Sequence, residues 1–166
     1  AEATVLAQSL LQRAPLIVRG NCRHAAVDEV AARLRDEGAQ VETCRFAPYA
    51  LHVSGLRSPF LQPSYLDGWW TAQDEAAQLV GLAVLPQPGD KILDACAGVG
   101  GKATHVAELY GERIRMICLD RNPRKLELLR GHAIRLGVEC QTVEGDLCDE
   151  NVLAGERFDR VLLDAP

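Results

Sequence analysis

The stretch from Lys91 to His105 constrains this chain more than any other. It reads Lys-Ile-Leu-Asp-Ala-Cys-Ala-Gly-Val-Gly-Gly-Lys-Ala-Thr-His. An apolar pair, Ile92 and Leu93, leads into small residues and three glycines, and an amphipathic run (Ala103, Val106, Ala107, Leu109, Tyr110) follows. This is the pattern of a buried strand, a tight glycine turn and the first turns of a helix. Glycines let the backbone approach a ligand with no Cβ in the way and tolerate positive φ. The helix start adds free N–H groups and a partial positive charge. A plain strand-to-helix connection needs no such run, and four small residues among five (Ala97, Gly98, Gly100, Gly101) favour a cofactor loop.

The rest of the C-terminal part repeats the theme. Gly111 ends the helix of the loop, and Ile114 to Leu119 reads as a strand ending at Asp120. Asn122-Pro123 starts a second helix, an N-cap followed by proline at the first helical position. Its buried stripe is Leu126, Leu129, Ala133 and Leu136, and Gly137 stops it. Strands over Cys140–Val143 and Phe158–Leu163 run to Asp146 and Asp164. Nearly unbroken apolar strands alternating with helices predict a parallel sheet covered on both faces, with ligands at the carboxyl ends of its strands. Asp94, Asp120, Asp146 and Asp164 all fall at such ends, too many to be helix caps alone.

The N-terminal part reads differently. A helix end at 4–12 stops at Pro15, and Leu16–Arg19 is a short strand. A helix over Ala26–Glu37 buries Val27, Val30, Ala31 and Leu34 and ends at Gly38. Strands at Gln40–Phe46 and Ala50–Val53 complete a small α+β unit. Residues 55–68, with two Pro, two Gly and two Ser, form the best linker candidate. Trp69–Gln73 is a short strand, and Asp74 is expected to cap a helix over Glu75–Leu85. The expected division is a small unit plus linker at 1–67 and a cofactor-binding part at 68–166.

Charge and cysteine usage narrow the class. The net charge is −5; residues 1–67 balance seven Lys/Arg with seven Asp/Glu, so the acidity lies beyond them. That does not advertise a nucleic-acid binder, although a local basic groove can sit on an acidic protein. Six scattered cysteines make no Cys-x-x-Cys pair and four histidines make no ligand cluster, which argues against a zinc site. Scattered cysteines in apolar segments fit a reducing compartment, the cytoplasm. No run approaches a membrane span in length.

Three cofactor readings compete for the loop. A nucleotide P-loop needs Gly at position 96 and Ser or Thr at 103; the chain has Cys96 and Ala103. Gly98-x-Gly100-x-x-Ala103 with Asp120 fits the dinucleotide fingerprint of NAD enzymes. S-adenosylmethionine uses a similar turn, an acid at the second strand end for ribose and a polar group at the third for adenine. Asp94 suits its ammonium end. The third reading explains Asp94 and Asp146, which the second leaves unused.

These residues resemble the RsmB/Fmu/Sun-type RNA 5-methylcytosine methyltransferases, whose loop reads Asp-x-Cys-Ala-Ala-Pro-Gly-Gly-Lys-Thr-Thr-His. The likeness extends to Gln73–Val80, Arg135-Leu136-Gly137, Gly145-Asp146 and Leu162-Leu163-Asp164-Ala165-Pro166. Upstream, Arg13-Ala14-Pro15-Leu16 and Arg19-Gly20-Asn21 are similar to the family's entry into its small RNA-binding subdomain. Gly98-Val99 replaces Ala-Pro and Ala103 replaces Thr, which makes the loop more flexible, and Lys125 stands where relatives often carry Arg. The resemblance implies a Rossmann-like class I methyltransferase sheet, incomplete at its C-terminus, preceded by an RRM-like α+β subdomain. It implies S-adenosyl-L-methionine as cofactor. Cys96, Ala97, Gly98, Val99, Gly100, Gly101 and Lys102 would cradle the methionine end. Asp120 would hold the ribose and Asp146 the adenine, while Asp164 would face the methyl group and the target base. The implied partner is RNA, ribosomal RNA of the small subunit, with no DNA or membrane partner and a monomeric state. Arg19, Arg23, Arg45 and Arg57 are the candidate phosphate contacts as a set.

The family chemistry uses a Cys thiolate that adds to C6 of cytosine, so that C5 takes the methyl group, and a second Cys that helps release the enzyme. The base must leave its stack to be reached. In the family one Cys follows Asp-Ala-Pro directly and the other lies further on, so the nucleophile is expected after Pro166 and the chain is read as a truncated one. Two other readings stay open: an NAD-dependent oxidoreductase fragment and a non-catalytic RNA-binding module. The 166-residue chain alone is expected to show no methyl transfer to a cytosine-containing rRNA fragment. Turnover in a radiolabelled methyl-transfer assay would contradict that expectation.

Overall fold

The computed structural model describes Ala3 and residues 15–165, so the expected helix at 4–12 lies outside the described residues. Two sheets organise the chain. The first contains β1 (Leu16–Gly20), β2 (Gln40–Thr43), β3 (Ala50–Ser54) and β4 (Trp70–Ala72) in the antiparallel order β2-β3-β1-β4. Helix α1 (Val27–Asp36) covers one face. It buries Val30, Ala31 and Leu34 against Val18, Val41, Leu51, Val53 and Trp70. The strand expected to run to Phe46 stops at Thr43, where the chain turns back toward β3.

The segment expected to be a linker is folded. It contains a short 3-10 turn, Pro59–Leu61, and a one-turn helix α2, Pro63–Leu66. Its Ser64 is fully buried. The Ser64 hydroxyl donates to Glu37 Oε2 at 2.6 Å and accepts the Trp70 indole N–H at 2.8 Å, while the Ser64 N–H donates to Glu37 Oε1 at 2.9 Å. Proline and glycine mark turns here, and the turns pack. β4 pairs with β1 (Val18↔Ala72, Gly20↔Trp70), so the first sheet extends past the boundary expected at 67/68.

Helix α3 (Glu75–Ala83) leads away from β4. Asp74 was the expected cap, but its side chain accepts no hydrogen bond from the helix. Glu75 instead reaches back to the β2–β3 connection, accepting the N–H groups of Phe46 and Ala47 at 2.5 and 2.9 Å. The second sheet then forms: β5 (Lys91–Asp94), β6 (Arg115–Asp120), β7 (Gln141–Glu144) and β8 (Arg160–Leu162), all parallel, in the order β7-β6-β5-β8.

Alternation along these strands separates two cores. Ile92, Met116 and Cys118 face α4 (Gly101–Tyr110) and α5 (Pro123–Leu136), meeting Val106, Leu126 and Leu129. Leu93, Ile117 and Leu119 face the other way, toward Val152, Leu153 and Phe158. Both crossover helices therefore share one face, and the other is lined by the connection between β7 and β8. Asn122 caps α5 as expected, accepting the N–H groups of Arg124 and Lys125, and Gly137 closes it at φ 69°. Among the described residues no helix is long and apolar enough to cross a membrane.

The buried Ser64 bridge makes a stability prediction. Ser64→Ala leaves the Trp70 indole N–H and one Glu37 oxygen without their partner, so it should cost about 2 kcal/mol in urea denaturation. A change within error would show that the 55–68 segment behaves as a linker after all.

Candidate functional site

The order of the parallel strands sets Asp146, Asp120, Asp94 and Asp164 side by side at one sheet edge, at or just past the ends of β7, β6, β5 and β8. Neighbouring strands in a sheet lie about 4.8 Å apart. The glycine loop rises from the middle of this row. Beyond Asp94 the chain is held on both sides, with Ala95 N–H donating to Leu162 O (2.8 Å) and Ala97 N–H to Leu119 O (2.9 Å).

The loop itself is built on hydrogen bonds. Gly98 N–H donates to Asp120 Oδ2 and Asn122 N–H to Asp120 Oδ1, each at 2.8 Å. Each carboxylate oxygen keeps a further lone pair for a ligand hydroxyl. Gly100 N–H closes a turn on Ala97 O at 2.9 Å, and His132 Nδ1 lies 3.0 Å from Val99 O. Gly100 sits at φ 85°, where a Cβ would fall 2.5 Å from Leu129 Cγ, so no side chain fits there. At Gly98 the space a Cβ would occupy is open for 4 Å around. The loop thus offers backbone to the outside at Gly98 and packs against α5 at Gly100.

Charge at the edge is mainly negative. Asp94 is buried, and burial pushes its carboxyl up to about 6; the Cys96 N–H and Lys102 oppose the shift, while Asp164 and Asp120 add to it. Burial also pushes the Cys96 thiol up, and the carboxylates of Asp120 and Asp94 push it further. Cys96 is therefore a protonated thiol and a poor nucleophile. Lys102 Nζ pairs with Asp164 Oδ2 at 2.5 Å and so is committed to a strand-end acid. Asp146 is exposed, and the N–H of Cys148, 2.9 Å from its Oδ1, holds its carboxyl below the usual range.

All ten residues expected to touch the cofactor (Cys96, Ala97, Gly98, Val99, Gly100, Gly101, Lys102, Asp120, Asp146 and Asp164) belong to the loop, to the start of α4 or to the acidic edge. The expected phosphate contacts fare differently. Arg23, Arg45 and Arg57 are exposed, but Arg19 is completely buried and unavailable to RNA. Its Nε and Nη2 donate to the Glu108 carboxylate at 2.9 and 2.6 Å, its Nη1 to Gly101 O at 2.9 Å and to Gln73 Oε1, and its Nη2 to Thr104 Oγ1 at 3.2 Å. Gln73 Nε2 donates to the same Gly101 carbonyl at 3.1 Å.

A second junction ties α5 to the first sheet. Arg135 Nη1 donates to Tyr65 O (2.7 Å) and Trp70 O (3.0 Å), with the guanidinium 3.9 Å from the Tyr65 ring centroid. Asn21 Nδ2 donates to Gly68 O and Leu136 O, each at 2.9 Å. His105, although part of the loop motif, points away from the acidic edge. It is buried under α3, where a Cβ on Gly81 would lie 2.5 Å from its Nδ1, and neither ring nitrogen has a hydrogen-bond partner among the described residues.

Comparison with known proteins follows the same lines. A family model for 16S rRNA methyltransferase RsmB/F matches residues 81–166, and one for an RsmF/B-like ferredoxin-like domain matches residues 1–58. The chain is 34% identical over 156 residues to ribosomal RNA small subunit methyltransferase B of Klebsiella pneumoniae (strain 342), covering 93% of this chain and 36% of that protein. It is 36% identical over 169 residues to a probable ribosomal RNA small subunit methyltransferase B of Synechocystis, covering 100% of this chain and 38% of that protein. The chain thus spans little more than a third of the length of these curated relatives. Among solved structures, a methyltransferase homolog from Pyrococcus horikoshii matches with a TM-score of 0.83 at 25% identity, over 96% of this chain and 53% of that one. The fold also matches NSun6 from Pyrococcus horikoshii, solved with SFG, with a TM-score of 0.86 at 17% identity, over 99% of this chain and 66% of that one.

Two of the buried ionisable groups, Asp94 and His105, predict an unusual pH profile. Asp94 titrates near 6 in the fold against 3.8 unfolded, so the folded chain holds the extra proton and this group's contribution falls as pH rises through that window. Burial lowers His105 from 6.5 to about 3, with Arg19 adding to the shift, so here the unfolded chain holds the extra proton and stability is lost as pH falls. Between roughly pH 4 and 6 the two slopes offset each other. Asp94→Asn removes one of the contributions that oppose His105, the raised carboxyl of Glu108 being the other, so in urea unfolding the variant should lose more stability than the unaltered chain on going from pH 6 to 4. A profile no steeper than that of the unaltered chain would show that Asp94 does not hold the extra proton.

Proposed function

The chain belongs to the 16S rRNA methyltransferase RsmB/F family. From that membership we infer that it is the cofactor-binding portion, with its small RNA-facing unit, of an enzyme that methylates C5 of a cytosine in small-subunit ribosomal RNA. The cofactor is S-adenosylmethionine, which when bound supplies an electrophilic methyl group on a sulfonium centre. The observation that carries this reading is the row of carboxylates around a glycine loop whose one lysine is already paired.

That row fits the cofactor group by group. The buried Asp94 carboxylate suits the ammonium of the methionine end, against the open backbone at Gly98. Asp120, fixed by two backbone N–H groups, presents its remaining lone pairs to ribose hydroxyls. Asp146 stands at the next strand end, toward the adenine, and Asp164 with Lys102 borders the side where the methyl group and target base would meet. A dinucleotide would have to lay its pyrophosphate among the same carboxylates with Lys102 paired to Asp164, which disfavours the NAD reading.

None of the six cysteines takes the role of nucleophile in this reading: Cys118 is buried in the sheet, Cys140 packs against the same core, Cys96 is a protonated loop thiol, Cys148 follows Asp146 at the adenine end of the row, and Cys22 and Cys44 belong to the small unit. The exposed Arg23, Arg45 and Arg57 remain the candidate phosphate partners, and the six free thiols accord with a cytoplasmic setting.

Calorimetric titration tests the cofactor assignment. The chain should bind S-adenosylmethionine and not NADH, with affinity falling as pH drops through about 6, where Asp94 gains its proton. Asp94→Asn should weaken binding and remove that pH dependence. Binding of NADH with none of S-adenosylmethionine would overturn the assignment.

A further inference from the structure

We propose that Arg19 is a positioning residue for the cofactor loop, and that through it the small N-terminal unit is an integral part of the cofactor site. The inference rests on the cofactor reading above but concerns a residue that touches no ligand. Arg19 lies on β1 of the first sheet, while Gly101, Thr104 and Glu108 lie on α4, the helix that begins where the glycine loop ends.

The geometry fits a clamp on the first turn of α4. Gly101 O receives Arg19 Nη1 at 2.9 Å and Gln73 Nε2 at 3.1 Å. Thr104 Oγ1 donates to Gly100 O at 2.7 Å and accepts from Arg19 Nη2, so the guanidinium reaches the Gly100 carbonyl through one hydroxyl. Gly100 is the residue whose φ of 85° turns the loop into the helix. Its position is thereby fixed from two sides: Leu129 of α5 above its Cα and the Arg19 network at its carbonyl.

Helix stability does not explain this placement. A cation beside the first turn of a helix opposes the helix dipole. It is tolerated here because Glu108, two turns further along α4, neutralises it with both oxygens. Burying such a pair is on balance no gain in stability over apolar residues of similar volume. What the pair adds is registration: the guanidinium is planar and its donors are fixed in direction, so β1 and the start of α4 are held in one relative position. Gln73, immediately after β4, repeats the contact from the neighbouring strand.

The test uses the whole chain and the double variant Arg19→Met/Glu108→Leu, which replaces the ion pair with apolar side chains and keeps the junction filled. The readouts are calorimetric titration with S-adenosylmethionine and hydrogen–deuterium exchange at the amides of residues 98–104. The variant should remain folded, bind the cofactor about tenfold or more weakly, and exchange faster at 98–104 than the unaltered chain, with β6 unchanged. Val41→Ala, a cavity in the first core on β2, which β3 separates from β1, should lower stability without moving either readout. A folded double variant with unaltered affinity and unaltered exchange at 98–104 would overturn the proposal. If the unaltered chain fails to bind S-adenosylmethionine, the cofactor reading falls, while the exchange at 98–104 still decides the role of Arg19. Should the double variant not fold, Arg19→Lys, which keeps a cation beside Glu108 but cannot bridge Glu108, Thr104 and Gly101 O at once, decides by the same two readouts.

Discussion

The Arg19–Glu108 ion pair is the interaction on which the two halves of this chain depend. Both side chains are sealed from solvent, and they come from residues 89 apart in sequence. Either charge alone in that position would be strongly unfavourable, so neither half presents a finished surface without the other. The same is true at the second junction, where Arg135 of α5 caps carbonyls of Tyr65 and Trp70 and Asn21 bridges Gly68 and Leu136. Polar groups of this kind specify one docking geometry, whereas an apolar interface would tolerate several. Two helices that flank the glycine loop, α4 and α5, are thus each tied to the first sheet by directional bonds.

This arrangement bears on how an RNA methyltransferase of this family can work. In the function proposed above, a base brought to the acidic edge would have to meet the methyl group within a fraction of an ångström, since reaction rates fall steeply with misplacement. If the small unit contacts RNA through residues such as Arg23, Arg45 and Arg57, a rigid junction carries that position directly to the loop. A flexible linker over residues 55–68 would not. The buried Ser64, hydrogen-bonded to Glu37 and Trp70, shows that this stretch is part of the packing.

The fold class was legible because the signals behind it are local. Strand, glycine turn and helix follow one another in Lys91–Tyr110, Asn122-Pro123 announces α5, and an acid stands at each of four strand ends. What escaped was set by long-range contacts. Arg19 looked like a surface charge because nothing near it in sequence reveals that β1 lies inside its sheet, between β3 and β4, with α3 and α4 behind it. The one available signal was a charge at the end of the apolar run Leu16-Ile17-Val18, on the face opposite to Val18. Asp74 looked like a cap because it has the right residue type one position before the helix, yet Glu75 makes the bonds that matter, to a loop 28 residues away or more. Proline and glycine in 55–68 correctly marked turns but carry no information on whether turns pack.

The loop departures can now be judged on physical grounds. Ala103, where the family pattern has Thr, is fully buried in the second core, and the hydroxyl that bonds the turn comes from Thr104 beside it. The change at 103 therefore touches packing and leaves the hydrogen bonds of the turn intact. Gly98-Val99 replaces a residue pair in which proline fixes the backbone, so a slacker loop was the natural expectation. The structure supplies fixation by other means: Asp120 holds the Gly98 N–H, Ala97 O holds the Gly100 N–H, and His132 faces the Val99 carbonyl. Proline stiffens a loop mainly by narrowing the unfolded ensemble, whereas these bonds act only in the folded state. The loop of this chain therefore depends on its surroundings for its shape: on β6 through Asp120, on α5 through His132 and Leu129, and on the first sheet through Arg19.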